Sequence, residues 1–152
     1  MHQIQVITSL WREGFYSSEE VVTWADRKIL ELDDLPEALM ELSLKGPERC
    51  LKKPIYEFPQ PLNLDFVQRF SLKVVKLSLE SDKEVEDFIR WASVEAMGED
   101  INLPEVYFCY YLEDIWQDEG NMLPPKNYLK KQWPQILEQS NVVVSELTNQ
   151  CT

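Results

Sequence analysis

The sequence is poor in the residues from which most metal sites and nucleophilic sites are built. Its only histidine is His2, and its three cysteines, Cys50, Cys109 and Cys151, are far apart and include no Cys-x-x-Cys pair. This pattern supports neither a zinc site nor a disulfide framework. A thiol nucleophile would also need a nearby base. We therefore predict no metal, no cofactor and no catalytic residue, and we expect the reduced thiols of a cytoplasmic protein.

Glycine and long apolar runs are also scarce. With four glycines, the chain contains no Gly-rich phosphate loop and no Gly-x-Ser-x-Gly motif. No window reaches the apolar length of a membrane span, and the first residues lack the basic region and apolar run of a signal peptide. Adjacent acids such as Asp33 and Asp34 are typical of helix ends, whereas carboxylate catalysis needs opposed acids in a cleft. We therefore expect a non-enzymatic protein that does not enter a membrane.

The spacing of apolar and turn residues predicts an all-α fold. Because glycine is rare and turn signals fall at wide intervals, helices are favoured over a sandwich of short strands. We predict a single-domain bundle of about six helices. Residues 1–46 form a three-helix N-terminal part and residues 47–63 a proline-rich connector. Further helices follow over residues 64–140, and residues 141–152 form a tail.

Capping signals mark the N-terminal helices. Residues 2–12 have helical apolar spacing, and Gly14 ends that helix. The stretch Ser17-Ser-Glu-Glu20 predicts a capping box for a second helix. Asp34-Leu-Pro-Glu37 repeats this logic, with its aspartate as N-cap and its glutamate completing the box, and Gly46 ends the third helix.

Two segments leave the secondary structure open. Residues 65–79 have the spacing of an amphipathic helix, which we prefer, but the β-branched residues near 72–79 also allow a short strand. Val142-Val-Val144 allows a second short strand near 141–145, or simply an extended end. Between these segments, one helix runs from about Pro104 to Glu119 and ends at Gly120. In the last helix, Pro134 should cause a kink or an early end.

The negative charge is concentrated in one quarter of the chain. The whole sequence contains 27 acids and 15 bases, giving a formal charge of −12. Residues 80–119 alone hold 13 of the acids and 2 of the bases. Phosphates would be repelled by this charge, which argues against nucleic-acid and anionic-membrane partners. A basic protein is the partner that this charge predicts, although an acidic surface can also serve solubility alone.

Within the acidic segment, residues 106–119 combine aromatic and acidic side chains on one helix. The core-facing stripe predicted there contains Phe108, Tyr111, Leu112, Ile115 and Trp116. A second lengthwise face carries tyrosines and carboxylates, which suit an interface with a cationic protein. Acids of the preceding helix and loop can join this face. The predicted partner-binding residues are Glu84, Asp87, Glu99, Asp100, Tyr107, Tyr110, Glu113, Asp114 and Asp118.

The first third of the chain resembles several small helical bacterial families. The resemblance lies in the run from Leu10 to Asp26, followed by the run from Pro36 to Leu44. In those families a short helix, a glycine turn, a second helix carrying an alanine or Trp-Ala, and a third helix ending in Glu-Leu recur. Some are similar to immunity proteins of polymorphic or contact-dependent toxin systems, and others are uncharacterised. The resemblance implies a cytoplasmic protein that binds and blocks a toxin, and it carries over no binding residue.

The acidic segment independently favours a protein that binds and blocks a toxin. A nuclease toxin must carry positive charge to hold nucleic acid, so an inhibitor that occludes its active site benefits from acidic helices. The alternative is a structural or adaptor protein that self-associates through its tyrosine and acidic face. A monomer and a homodimer are both compatible with the sequence.

Overall fold

The computed structural model describes residues 2–116 and 121–152 and is all-helical within them, which confirms the all-α prediction. Seven α-helices and no β-strand occur in these residues. The helices are α1 (His2–Arg12), α2 (Ser18–Glu31), α3 (Glu37–Cys50), α4 (Phe66–Lys76), α5 (Asp82–Glu95), α6 (Pro104–Trp116) and α7 (Leu123–Asn149).

The contacts of the chain divide it into two compact units. The first contains Met1–Leu64 and Ser145–Thr152, and the second contains Asp65–Val144. The predicted break between an N-terminal part and later helices thus falls at the end of the proline-rich connector. The single-domain organisation itself stays a prediction.

The ends of α1 and α2 follow the signals in the sequence. Gly14 has a φ of 78°, and its N–H donates to the Trp11 carbonyl at 2.9 Å, while the Phe15 N–H donates to the Leu10 carbonyl at 2.9 Å. This pair of hydrogen bonds is a Schellman motif, in which glycine takes the left-handed position without strain. Ser17 caps α2 and forms both hydrogen bonds of the predicted capping box.

The predicted cap of α3 is wrong. Pro36, not Asp34, is the N-cap residue, and no side chain caps the helix. The cause is the proline, because it disfavours helical conformation at the residue before it and so delays the helix until Glu37. Asp34 is left outside the first turn. Gly46 interrupts the helix with a φ of 79°, as predicted, and one further helical stretch follows to Cys50.

The core of the first unit surrounds much of α1, whose residues 6–10 are all buried, and the connector packs against it. Ser9 is fully buried, and its hydroxyl accepts a hydrogen bond from the Leu62 N–H at 2.7 Å. Phe58 of the connector is buried as well. The indole N–H of Trp24 donates to the Cys151 carbonyl at 2.6 Å. The buried apolar residues include Ile4, Val6, Ile7, Leu10, Val21, Ala25, Leu39, Leu42 and Leu147.

The strand alternatives are wrong in both places where the sequence allowed them. Helix α4 continues to Lys76 and no strand occurs near 72–79, while α7 includes residues 141–145 and continues to Asn149. Ser140, Val144 and Leu147 are buried at spacings of four and three residues, which is the period of a helix. This packing outweighs the weak strand preference of valine. The predicted tail from residue 141 is therefore mostly helical, and Pro134 does not shorten α7.

The second unit is held by an aromatic and aliphatic core. Helix α4 begins with a capping box that the sequence analysis missed, in which Asp65 accepts from the Gln68 N–H at 2.8 Å. The ring of Phe70 packs near the rings of Phe88 and Phe108 at centroid distances of 6.0 and 5.9 Å. The buried set contains Phe66, Phe70, Val74, Val85, Phe88, Ile89, Ala92, Ala96, Val106, Phe108, Cys109, Leu112 and Leu129.

Candidate functional site

The orientation of α6 determines which aromatic residues it exposes. Phe108 and Leu112 are buried as predicted, but Val106 and Cys109 complete the buried face. Tyr111 lies on another side of the helix and is 41% exposed. The prediction that Tyr111 belongs to the core stripe is therefore wrong. Tyr107, one turn earlier, is 57% exposed. The outer face of α6 thus presents two tyrosines at a spacing of four residues.

A third tyrosine, from α7, joins these two. The ring of Tyr128 lies 4.7 Å from that of Tyr111 and 5.4 Å from that of Phe108, between centroids. Burial raises the pKa of Tyr128, and the nearby phenols of Tyr111 and Tyr107 raise it further. The Tyr128 hydroxyl is therefore neutral at physiological pH and able to donate a hydrogen bond.

Tyr110 has a structural contact. Its side chain is half-buried, and its hydroxyl donates to the Ala96 carbonyl at 3.2 Å. Ala96 is the C-cap residue of α5, so this bond satisfies a carbonyl at a helix end and joins α6 to α5. The partner-binding role of Tyr110 stays a prediction, and its hydroxyl already forms this hydrogen bond within the protein.

Exposed apolar side chains gather where α5 ends and α6 begins. Val94 is 65% exposed, Met97 70% and Ile101 56%, and Leu103 and Tyr107 are exposed too. The exposed side chains of residues 94–107, together with the half-buried Glu99, are named here the α5–α6 corner. Large apolar side chains in such number are unusual on a surface that contacts only water, so the corner is a candidate interaction site.

The corner is a fixed loop. Gly98 turns the chain with a φ of 80°, and the Glu99 N–H donates to the Ala96 carbonyl at 3.1 Å. The Leu103 N–H donates to the Asp100 carbonyl at 3.0 Å. The carboxylate of Asp100 also accepts from the Asn102 N–H at 2.9 Å. These bonds hold the exposed side chains on a backbone of defined shape.

The charge of the corner is negative after local pairing is considered. Arg69 of α4 forms an ion pair with Glu95 and lies 4.0 Å from the carboxylate of Glu99. Asp100 and Glu105 form no ion pair within the described part of the chain. At the corner and beside it, Arg69 is therefore near two carboxylates, and the two further carboxylates have no ion-pair partner in the described residues. Three of the predicted site residues, Glu99, Asp100 and Tyr107, lie here.

Glu84 and Asp87 lie elsewhere on α5. They line a small depression together with Lys73 and Lys76 of α4, so positive charge is present in the same depression. Glu84 also precedes Met97 by 13 residues of helix and turn, or roughly 20 Å at the rise of an α-helix. The structure therefore does not gather all the predicted acidic residues into one patch.

The other predicted acids belong to the second half of α6. Asp114 is exposed and Glu113 half-buried, and neither has an ion-pair partner among residues 2–116 and 121–152. Near them, the guanidinium carbon of Arg90 lies 5.1 Å from the centre of the Trp116 ring. Asp118 and the predicted helix end at Gly120 lie outside the described residues.

The sequence analysis missed the apolar part of the corner. Val94 and Met97 do not share the helical spacing of the buried residues of α5, which include Val85, Phe88 and Ala92. Their positions in the sequence therefore predict exposure. Ile101 lies in a loop, where periodicity carries no information. The sequence pointed to the acids of this region and not to the apolar side chains among them.

Within residues 2–116 and 121–152, no group of three or more His, Cys, Asp or Glu side chains is placed to hold a metal ion. None of the helices in those residues combines the length and apolar character needed to cross a membrane. Comparison of the chain with protein-family models, with curated proteins and with solved structures gave no match.

Proposed function

We propose that the chain is a non-enzymatic binding protein that neutralises a basic toxin in the cytoplasm by covering its active site. The α5–α6 corner is the docking surface in this proposal. The observation that carries it is the combination, in one fixed loop, of exposed Met97 and Ile101 with the carboxylates of Glu99 and Asp100.

The composition of the corner supports a protein partner. Interfaces commonly have an apolar centre surrounded by polar and charged side chains, and a few central side chains supply most of the binding free energy. Met97 and Ile101 suit the central role because they are large, apolar and exposed. Carboxylates beside them attract a cationic surface and increase the association rate.

The rigidity of the corner supports tight binding. Ordering a flexible loop on association costs conformational entropy, and that cost is smaller where the unbound loop already has its bound shape. The hydrogen bonds around Gly98 and Asp100 hold the loop before any partner arrives. A toxin inhibitor benefits from this, because it must form a complex faster than the toxin reaches its substrate.

A basic toxin fits the charge of the chain. Proteins that hold nucleic acid need positive charge around their active sites, and residues 80–119 of this chain hold 13 acids against 2 bases. An acidic protein can bind the positive charge around such an active site. The toxin cannot lose that charge without also losing its affinity for nucleic acid.

Co-purification with matched variants tests the docking surface. The tagged wild type, the double variant Met97→Ser with Ile101→Ser, and the control Leu44→Ser are purified from the native host at low salt. Leu44 is also strongly exposed, at 84%, but lies on α3. We expect one stoichiometric basic protein with the wild type and the control, released by raising the salt, and its loss with the double variant. Equal recovery with all three proteins would place the docking surface elsewhere.

A second experiment tests inhibition. The captured partner is produced alone and then together with each variant, and its nuclease activity and its effect on growth are measured. We expect wild type and Leu44→Ser to suppress both effects, and the double corner variant to fail at equal protein level. A partner that remains fully active in the complex would contradict the inhibitor function while leaving binding intact.

Self-association is a second candidate, favoured by the tyrosine pair on α6. Tyr107 and Tyr111 are exposed and aromatic, and tyrosine is common in interfaces. A dimer formed through this face would also bring Asp114 of both copies into or beside the interface, and this added negative charge costs free energy unless cations offset it. Sedimentation equilibrium at high protein concentration decides the question, because a strictly monomeric mass excludes this candidate.

A further inference from the structure

A cavity in the second unit borders the corner. It has a volume of about 370 Å3 and lies between α4, the first turns of α6 and the middle of α7. Aromatic rings and aliphatic side chains form much of its lining, which includes Phe70, Phe108, Tyr128, Ile136 and Val143. A concave apolar site with a small number of polar groups is the usual form of a binding pocket.

The polar groups that line this cavity are three glutamine amides, several hydroxyl groups and one carboxylate. Gln132, Gln135 and Gln139 of α7 line it at spacings of three and four residues, so successive turns of the helix present an amide to it. Glu105 lines it from the first turn of α6. No lysine or arginine occurs among the described residues that form its wall. A ligand with negative charge would therefore meet a carboxylate and no counter-charge.

We propose that this cavity binds the guanidinium group of an arginine side chain from the basic partner. The inference rests on the proposed function for the origin of the arginine. The composition of the cavity supports it separately, because aromatic residues, one carboxylate residue and three glutamines line one space whose described wall contains no lysine or arginine. The arginine is thereby the anchor residue of the complex.

A guanidinium group fits these surroundings better than an ammonium group. It is flat, so it can stack on the exposed ring of Tyr107, and its N–H groups can form paired hydrogen bonds to the Glu105 carboxylate. Its remaining donors can reach glutamine amide oxygens. It is also more weakly hydrated than the ammonium of lysine, so its transfer from water into the cavity costs less.

The position of the cavity connects it with the corner. Tyr107 is exposed at the corner and also lines the cavity wall, so the two surfaces are continuous. A partner segment seated on Met97 and Ile101 can therefore place a neighbouring arginine beside Tyr107. Burial of such a side chain at the centre of an interface is typical of residues that dominate binding free energy.

A small probe tests the cavity without the partner. The full chain, labelled with 15N, is titrated with N-acetyl-arginine-N-methylamide and followed by two-dimensional NMR. The lysine counterpart and the citrulline counterpart, which has nearly the same shape without the charge, serve as comparisons. We expect saturable shifts at Phe108 and Gln135 with the arginine probe, and at least about tenfold weaker binding of the other two.

Two variants of α6 test whether the negative charge of Glu105 contributes to binding of the arginine probe. Glu105→Gln keeps the size of the side chain and removes its charge, and we expect it to weaken binding of the arginine probe at least about tenfold while leaving citrulline binding unchanged. Glu113→Gln removes the same charge from a residue that does not line the cavity, and it should bind like wild type. Thermal unfolding of both variants checks that the fold is intact.

The outcomes separate this inference from the proposed function. Equal binding of arginine and citrulline probes, or equal weakening by both variants, overturns the guanidinium site. If the probe fails to bind while the corner variants lose their partner, the inference fails and the proposed function stands. If the probe binds as expected while the corner variants keep their partner, the cavity site stands and the docking surface is wrong.

Discussion

Cys109 shows how a helical position determines the chemistry of one side chain. It lies between Val106 and Leu112 on the buried face of α6 and is 1% exposed. Burial raises the pKa of its thiol from 9.0 to about 12, and the charge of Glu105 adds to the effect. Cys109 is therefore protonated at neutral pH, whereas the thiolate is the reactive form, and its side chain packs within the core.

The same shift predicts how stability depends on pH. In the unfolded chain the thiol loses its proton near pH 9.0, whereas in the folded chain the thiol keeps its proton until about pH 12. Between these values the unfolded state binds fewer protons, so a rise in pH lowers the free energy of unfolding. We expect urea midpoints to fall above pH 9, and to fall less steeply in Cys109→Ala. Parallel slopes in the two proteins would contradict this assignment.

At the scale of the helix, the capping box of α4 is the clearest local stabilising feature. Asp65 accepts from the Gln68 N–H at 2.8 Å, and the Gln68 side chain accepts from the Asp65 N–H at 3.0 Å. We expect Asp65→Ala to lower the free energy of unfolding by about 1 kcal/mol, because the Gln68 N–H loses the side-chain oxygen that accepts its hydrogen bond. Urea unfolding measures the loss, and Asp114→Ala, which removes an exposed aspartate that caps no helix, should not lower the free energy of unfolding.

Helix boundaries could be predicted where one residue decides them. Gly14 and Ser17 act through their own backbone and side chain, and both predictions are confirmed. The cap at Asp34 failed because the conformation before Pro36 outweighed a favourable side chain. Residues 141–145 were ambiguous from local sequence, since their helical state depends on which side chains the rest of the fold buries. Packing of that kind cannot be read from strand preference.

The candidate site could be predicted only in part, for a related reason. Acidic residues are visible in a sequence, so Glu99 and Asp100 were identified as members of a charged region. Whether they meet Glu84 depends on the direction of α5, and whether lysines line the same depression as Glu84 depends on α4. The exposure of Ile101 results from the course of a loop, which apolar periodicity does not describe.

For the whole molecule, the uneven charge predicts how salt affects stability. Seven acids between residues 80 and 116 form no ion pair within the described part of the chain, namely Glu80, Glu84, Asp87, Asp100, Glu105, Glu113 and Asp114. Their mutual repulsion is screened as ionic strength rises. We therefore expect the urea midpoint to increase between about 20 mM and about 500 mM sodium chloride.

The control for this effect is the double variant Glu113→Gln with Asp114→Asn, which removes two neighbouring charges without removing a described ion pair. Its midpoint should be higher than that of wild type at low salt and should rise less with added salt. A midpoint that falls as salt increases would mean that pairs such as Lys126 with Asp82 outweigh the repulsion, although exposed pairs usually contribute little.

The burial of all three cysteines has a practical consequence for spectroscopy. Cys50, Cys109 and Cys151 lie inside the protein, and burial raises the pKa of each thiol, so none reacts readily with a maleimide while the chain is folded. In the variant Ile101→Cys, the new thiol would be the single reactive position. A fluorophore attached there would sit at the α5–α6 corner, and its emission would report directly on whether that surface becomes covered.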